Sequence, residues 1–240
     1  LTQLTLDLGQ STRKKCKQCG MEYTPSNSAD NALHKKFHAQ NLGGLDLSRR
    51  FVEAVSKEDI VWSKGTGGEI IVAIDRSSSG WKRKIVETVG GVVEKELGGV
   101  GVEGLWEQIA DGDEDRYKAF LYLRGQKCVG YCLVERIQEA FPVLDDAPSS
   151  ATKQEKSSRD SSSITVSDAA RPALMGISRV WTSNSAKRSG IAVSLLDCAT
   201  QNFLYGMKIP KEEIAFSQPT ESGGRLARKW FGRESGWLVY

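Results

Sequence analysis

The sequence predicts an α/β (α+β) domain preceded by a small metal-binding module. Three observations carry this. Short apolar runs alternate with helically spaced ones, glycines close the helical stretches, and both histidines follow a Cys-x2-Cys pair. The 240 residues, 39% hydrophobic and 26% charged, hold enough apolar material for one medium core or two small ones. No apolar run approaches the ~18 residues of a membrane span, and no secretory leader pattern opens the chain, so no membrane partner is expected. A net charge of +3 is too small for a protein that lives on phosphate contacts alone.

The elements follow in order. Residues 1–12 read as a flexible tail, 13–42 as the metal module and 45–240 as the main domain. Gly68–Ile74 is a short apolar run, read as a buried strand. Trp81–Leu97 carries apolar residues at 85, 89, 92, 93 and 97, a helical spacing, although Gly90 and Gly91 each cost about 1 kcal/mol relative to Ala. Lys118–Leu123 and Lys127–Arg136 flank Arg124-Gly125-Gln126 and predict a hairpin. Residues 145–170 are dense in Ser, Asp and Lys and predict a disordered insert, because they bury too little to offset their ordering entropy. Leu174–Trp181 is a strand, Ile191–Tyr205 a helix closed by Gly206, and Glu213–Phe216 a strand. Glu221–Phe231 is a helix closed by Gly232, and Trp237–Tyr240 a final strand.

Cys16-x2-Cys19, fourteen intervening residues and His34-x3-His38 match Cys2His2 zinc spacing. A CxxC turn presents two thiolates to one tetrahedral ion, and His at i, i+4 face one way from a helix. Tyr23 sits where small fingers place a core aromatic. The stretch Ser26–Asn31 offers no Arg or Lys to address base edges, so sequence-specific DNA reading is not expected and a structural or docking role is. With the two histidines (34 and 38) spent on metal, no Ser-His or Cys-His pair is available. The chemistry must use carboxylates, amides, hydroxyls or main chain. Five cysteines, an odd number, predict no disulfide framework; Cys128, Cys132 and Cys198 read as core residues.

From Val180 the chain runs strand, loop, helix: Val180-Trp181-Thr182, then Lys187-Arg188-Ser189-Gly190, then Ile191-Ala192-Val193. Unpaired N–H groups at the helix start, beside two cations, make a pyrophosphate cradle. The loop resembles motif A of the GNAT acetyltransferases, with Lys187 in the place of the commoner Gln or Arg and with Gly190 and Ala192 in the others. Gly176–Trp181, Lys187–Ala192, Tyr205-Gly206 and Glu212–Thr220, joined to one Cys2His2 finger, resemble the sister-chromatid cohesion N-acetyltransferases, the cohesin acetyltransferase family. The specific motifs cover about residues 174–240 and the finger adds 16–38.

The resemblance implies a mixed central sheet and an acetyl-CoA-dependent protein lysine N-acetyltransferase with structural zinc. Its implied substrate is a pair of neighbouring lysines on the ATPase head of cohesin's SMC subunit, and its implied place of work is nuclear chromatin during replication. By the family pattern the catalytic positions are Ser178, Asp197 and Gln218. Val180, Trp181 and Thr182 would hold the pantetheine arm, and Thr220, Glu221 and Ser222 would touch the cofactor again. Some relatives carry Asp where this chain has Gln218, and an amide cannot act as a base, so the burden shifts to Asp197, directly or through water. Read alone, Asp197 is a satisfied helix-surface carboxylate, a reading that the resemblance reverses, and Thr220 is an ordinary N-cap that can also touch the cofactor. Gln3-x-x-Leu6 is similar to the start of a PCNA-interacting box, but Gly9 and Gln10 stand where its aromatic pair belongs. Two other readings stand beside the enzyme: a finger-based chromatin-binding module with a catalytically weak scaffold, and a GNAT with another amine acceptor.

Overall fold

A computed structural model describes residues 13–55, 57–65, 68–99, 101, 104–107, 116–144 and 164–240. The tail with Gln3 and Leu6, and positions 145–163 of the expected insert, lie outside the described residues. The finger comes first: strands β1 (Lys14–Lys15) and β2 (Glu22–Tyr23) pair antiparallel ahead of helix α1 (Ser28–Gly43). Then follow β3 (Leu45–Asp46), α2 (Arg49–Ala54), β4 (Ile60–Ser63), β5 (Glu69–Asp75) and α3 (Gly80–Leu97). The hairpin β6 (Tyr117–Arg124) and β7 (Lys127–Arg136) leads to β8 (Glu139–Pro142), β9 (Arg171–Pro172) and β10 (Met175–Thr182). The chain ends with α4 (Ile191–Asn202), β11 (Ile214–Phe216), α5 (Glu221–Phe231) and β12 (Leu238–Val239).

The strands form a mixed sheet in the order β4-β5-β6-β7-β10-β11-β12-β8-β9, with β3 also on β7. Only β10–β11 and β11–β12 run parallel among the described pairs. Period-2 alternation gives the sheet two apolar faces. On one, Phe120, Cys132, Val134, Met175 and Ile177 pack under Leu195 and Ala199 of α4 and Trp230 of α5. On the other, Ile74, Leu121 and Leu133 pack against Val86, Val89 and Val93 of α3, with Phe51 of α2. Cys128, Cys132 and Cys198 are buried in these cores, as expected.

Capping chemistry sets the helix ends. Thr220 Oγ1 accepts from Gly223 N at 3.2 Å to open α5, and Gly232, at φ 73°, closes it. Helix α4 stops at Asn202, short of the expected Tyr205, because Ile209 N takes the Thr200 carbonyl and turns the chain back. Residues 164–170, expected inside the disordered insert, are a second correction. Ile164 packs its side chain on the α4-side core, and Val166 pairs with Val143 through a backbone β-bridge, so one apolar side chain and main-chain bonds anchor this end. The sequence reading also passed over α2, β4, β8 and β9, each too short to show a period.

Gly130 on β7 decides how closely α4 can approach. A Cβ there would meet Ile191 Cγ2 at 2.7 Å, Leu195 Cδ1 at 3.0 Å and Tyr122 Cβ at 3.1 Å. Gly130→Ala is therefore expected to destabilise the fold by about 1–3 kcal/mol through overpacking, read as a lower Tm. An unchanged Tm would mean that α4 is free to lift.

Candidate functional site

The finger brings its four predicted ligands together: one ligand atom each from Cys16, Cys19, His34 and His38 all lie within 4.8 Å of one another. Cys16 Sγ is 3.5 Å from His38 Nδ1. Ligand atoms around tetrahedral zinc lie about 3.3–3.8 Å apart, so little closing is required. Tyr23 stacks on His34, with centroids 3.8 Å apart and planes at 11°, fixing the ring. His34 Nε2 is buried with no hydrogen-bond partner among the described residues, an orphan that a metal would satisfy. The N–H groups of Cys19 and Gln18 aim at Cys16 and lower its thiol to about 6, favouring the thiolate that binds metal. The residues fit zinc. Helix α1 also packs against the turn at Asn184–Ala186, so the finger abuts the loop that follows β10.

That loop has the expected form. After β10, a 3-10 turn at Asn184–Ala186 leads to Lys187, Arg188, Ser189 and Gly190, all exposed. Arg188 (φ 62°) and Gly190 (φ 88°) are left-handed, and no heavy atom lies within 4 Å of a Cβ placed on Gly190. No side chain caps α4, and its first internal bond is from Ser194 N to Gly190 O, 3.0 Å. The N–H groups of Ile191, Ala192 and Val193 precede that bond and face outward at a positive dipole end. This is an anion cradle.

Beside it the sheet forks. Strand β10 pairs with β11 only from Met175 to Ile177, and the last link is Ser217 N to Ile177 O, 3.0 Å. Beyond it β10 stays on β7 through Thr182, leaving the β11-facing edge of Val180, Trp181 and Thr182 without a strand partner among the described residues. The β7 register jumps here, with Ile177 opposite Val134 but Arg179 opposite Leu133, so Ser178 is the extra residue of a β-bulge. The bulge turns Ser178 and Arg179 to the same side. Arg179 Nε meets Glu94 Oε1 of α3 at 2.9 Å, and Trp181 Nε1 donates to Glu96 Oε2 at 2.6 Å. Ser178 is 8% exposed, at the root of the fork, and Gln218 follows β11 on its other prong.

Asp197 does not join them. It is an exposed residue of α4, where Oδ1 accepts from Trp230 Nε1 of α5 at 2.8 Å, while Ser178 faces the opposite side of the sheet. Its contacts are those of a helix-pairing carboxylate, the alternative that the residues alone left open. Thr220 caps α5, and Glu221 pairs with Arg225 one turn on at 2.9 Å, beside Ser222. All three stand at the α5 start, one residue past Pro219 on the Gln218 prong. Sequence reasoning missed two groups behind the fork: buried Glu135 on β7 and Tyr240 at the last position, joined by a 2.6 Å hydrogen bond.

Comparison with known proteins agrees with this geometry. A family model described as ESCO1/2 acetyl-transferase matches residues 171–240, and one described as zinc-finger of acetyl-transferase ESCO matches residues 3–40. N-acetyltransferase ECO1 of Yarrowia lipolytica is 30% identical over 235 residues, 96% of this chain and 72% of that protein. N-acetyltransferase eso1 of Schizosaccharomyces pombe is 33% identical over 96% of this chain, and N-acetyltransferase ESCO2 of Homo sapiens 33% over 99%. The chain spans only 24% and 37% of the length of those last two relatives. A solved xEco2 acetyltransferase domain bound to a K105-CoA conjugate superposes with a TM-score of 0.60 at 27% identity, covering 75% of this chain and 95% of that one.

Metal analysis of the intact chain is expected to give one zinc per chain, and Cys16→Ala or His34→Ala none. A metal-free intact chain would refute the assignment. The bulged fork, the cradle at Gly190 and the four-ligand cluster thus coincide with matches at both ends of the sequence, and the chain belongs to the Eco1/ESCO family of N-acetyltransferases.

Proposed function

We propose that this chain transfers the acetyl group of acetyl-CoA to a lysine side chain of a protein, and that its target is the ATPase head of cohesin's SMC subunit in nuclear chromatin. The observation that carries the reading is the bulged fork of β10 and β11 opening beside an unfilled N–H cradle. The K105-CoA conjugate held by the related xEco2 domain supports a lysine as acceptor.

Each part has a task. The N–H groups of Ile191, Ala192 and Val193, with exposed Lys187 and Arg188 and the Ser189-Gly190 turn, suit the pyrophosphate. The unpartnered edge of Val180, Trp181 and Thr182 offers main-chain groups to the amide-bearing pantetheine arm, with Thr220, Glu221 and Ser222 across from it. When bound, acetyl-CoA supplies the acetyl group as a thioester at the root of the fork. A lysine ammonium has a reference pKa near 10.4, so reaching the neutral amine at pH 7 costs about 4.6 kcal/mol. Ser178 and Gln218 are the side chains at the fork that can accept or orient its protons. Neither is a strong base, so the proton must go on to main chain, solvent or a carboxylate behind them. Cys16, Cys19, His34 and His38 would hold zinc as a structural ion, with no open coordination position for chemistry.

Incubating the chain with acetyl-CoA and a peptide bearing the neighbouring lysines of the SMC head should yield acetyl-lysine by mass spectrometry. No transfer to the peptide, or equal transfer to any small amine, would overturn the reading. Gly190→Asp places a negative charge in the cradle and should raise the acetyl-CoA Kd at least about tenfold, equivalent to ~1.4 kcal/mol. Unchanged affinity by calorimetry would dismiss the cradle.

A further inference from the structure

Behind Ser178 lies a hydrogen-bonded line that the transfer reaction has not yet used. Glu135 on β7 is directly opposite Gly176 of β10 and Tyr117 of β6, and it is only 9% exposed. The ring of Tyr240 lies over Gly176: a Cβ there would meet its Cζ at 2.5 Å and its Oη at 2.7 Å. Only glycine leaves that space. So seated, Tyr240 Oη donates to Glu135 Oε1 at 2.6 Å, within the range of a charge-assisted O–H···O⁻ bond. The Ser178 side chain, two residues beyond Gly176 and on the same face of the sheet, stands next to the same Tyr240 oxygen. Arg116 Nη2 approaches Glu135 Oε2 at 3.4 Å, and the Tyr117 phenol lies beside the same carboxylate.

The direction of these bonds follows from valence. Every group around Glu135 is a donor, so the carboxylate only accepts. Tyr240 has one proton and gives it to Glu135; its oxygen can then only accept, and Ser178 is the neighbouring hydroxyl placed to donate to it. Ser178 thereby commits its own single proton inward and turns lone pairs to the root of the fork. An arriving ammonium carries donors and no acceptor. A serine free to rotate would meet it as donor and as acceptor in turn. Burial and the neighbouring carboxylate push the Tyr117 phenol up to about 12 and that of Tyr240 higher still, so both stay protonated at neutral pH.

We infer that Glu135, acting through the Tyr240 hydroxyl, is a positioning residue of this enzyme: it holds the Ser178 oxygen as a pure acceptor aimed at the substrate amine. The inference rests on the acetyl-transfer reading of the fork. It gives the chain a carboxylate connected to the reacting amine although position 218 is an amide and Asp197 is engaged by Trp230.

The test uses the intact chain and the variants Ser178→Ala, Tyr240→Phe, Glu135→Gln and the double variant Ser178→Ala/Tyr240→Phe. Each single change should lower kcat about tenfold or more, with KM for acetyl-CoA nearly unchanged. The double variant should be no slower than Ser178→Ala alone, because the hydroxyl has nothing left to orient. Without any substrate, proton NMR should show a slowly exchanging downfield hydroxyl resonance that Tyr240→Phe removes and Glu135→Gln shifts upfield. Tyr240→Phe keeps the ring over Gly176 and so tests the line even if Glu135→Gln folds poorly. Full activity of Tyr240→Phe, or losses at 178 and 240 that multiply, would overturn the inference while leaving the acetyl-transfer reading intact. A wild-type chain that acetylates no amine would overturn both.

Discussion

One inserted residue, Ser178, governs the working end of this molecule. Without the bulge, with Ser178 paired in regular alternation, Arg179 would point into the apolar layer beneath α4. With it, Ser178 and Arg179 face α3 together, and Arg179 finds Glu94 in place of an unpaired burial. The bulge comes where β11 leaves β10, so the same residue marks the loss of pairing and supplies the side chain at its root. An open edge and a hydroxyl at its root accompany that irregularity.

The surroundings hold the fork rigid from three sides. The last turns of α3 send Glu94 and Glu96 to Arg179 and Trp181, clamping β10 from above. Gly130 lets the start of α4 settle against β7, which sets the height of the N–H cradle relative to the strand edge. The finger helix supports the Asn184–Ala186 turn between them. Preorganisation of this kind matters because a thioester and an amine react only when both are held in line, and small misplacements are costly. The finger is then part of the acetyltransferase scaffold as well as a metal module.

The sequence was legible where chemistry depends on spacing along the chain. Four ligands at Cys2His2 intervals, a Gly at a helix start, and the Thr220 and Gly232 caps are local, and the structure places them as read. What depends on register between strands was hidden. The bulge cannot be seen in Gly176–Thr182 alone, because it is defined by the partner residues Val134 and Leu133. Glu135 sits near the end of a strand ladder where a solvated carboxylate is ordinary, and Tyr240 is 105 residues away in the chain. Only the folded sheet, with Gly176 cleared beneath the ring, joins them. Asp197 shows the reverse case: its place six residues into α4 matches the family pattern, but its oxygen pairs α4 with α5. Ile164, lost in a polar stretch, docks on the core, and main-chain bonds to Pro142–Leu144 tie down the residues after it.

The most direct measurement of the central claim is a crystal structure of this chain with a peptidyl-lysine–CoA conjugate. The account predicts the pyrophosphate on the N–H groups of Ile191–Val193, the pantetheine arm along Val180–Thr182, and the lysine nitrogen within hydrogen-bond reach of Ser178 Oγ. A conjugate seated elsewhere, or a lysine nitrogen turned to Asp197 and away from Ser178, would contradict it.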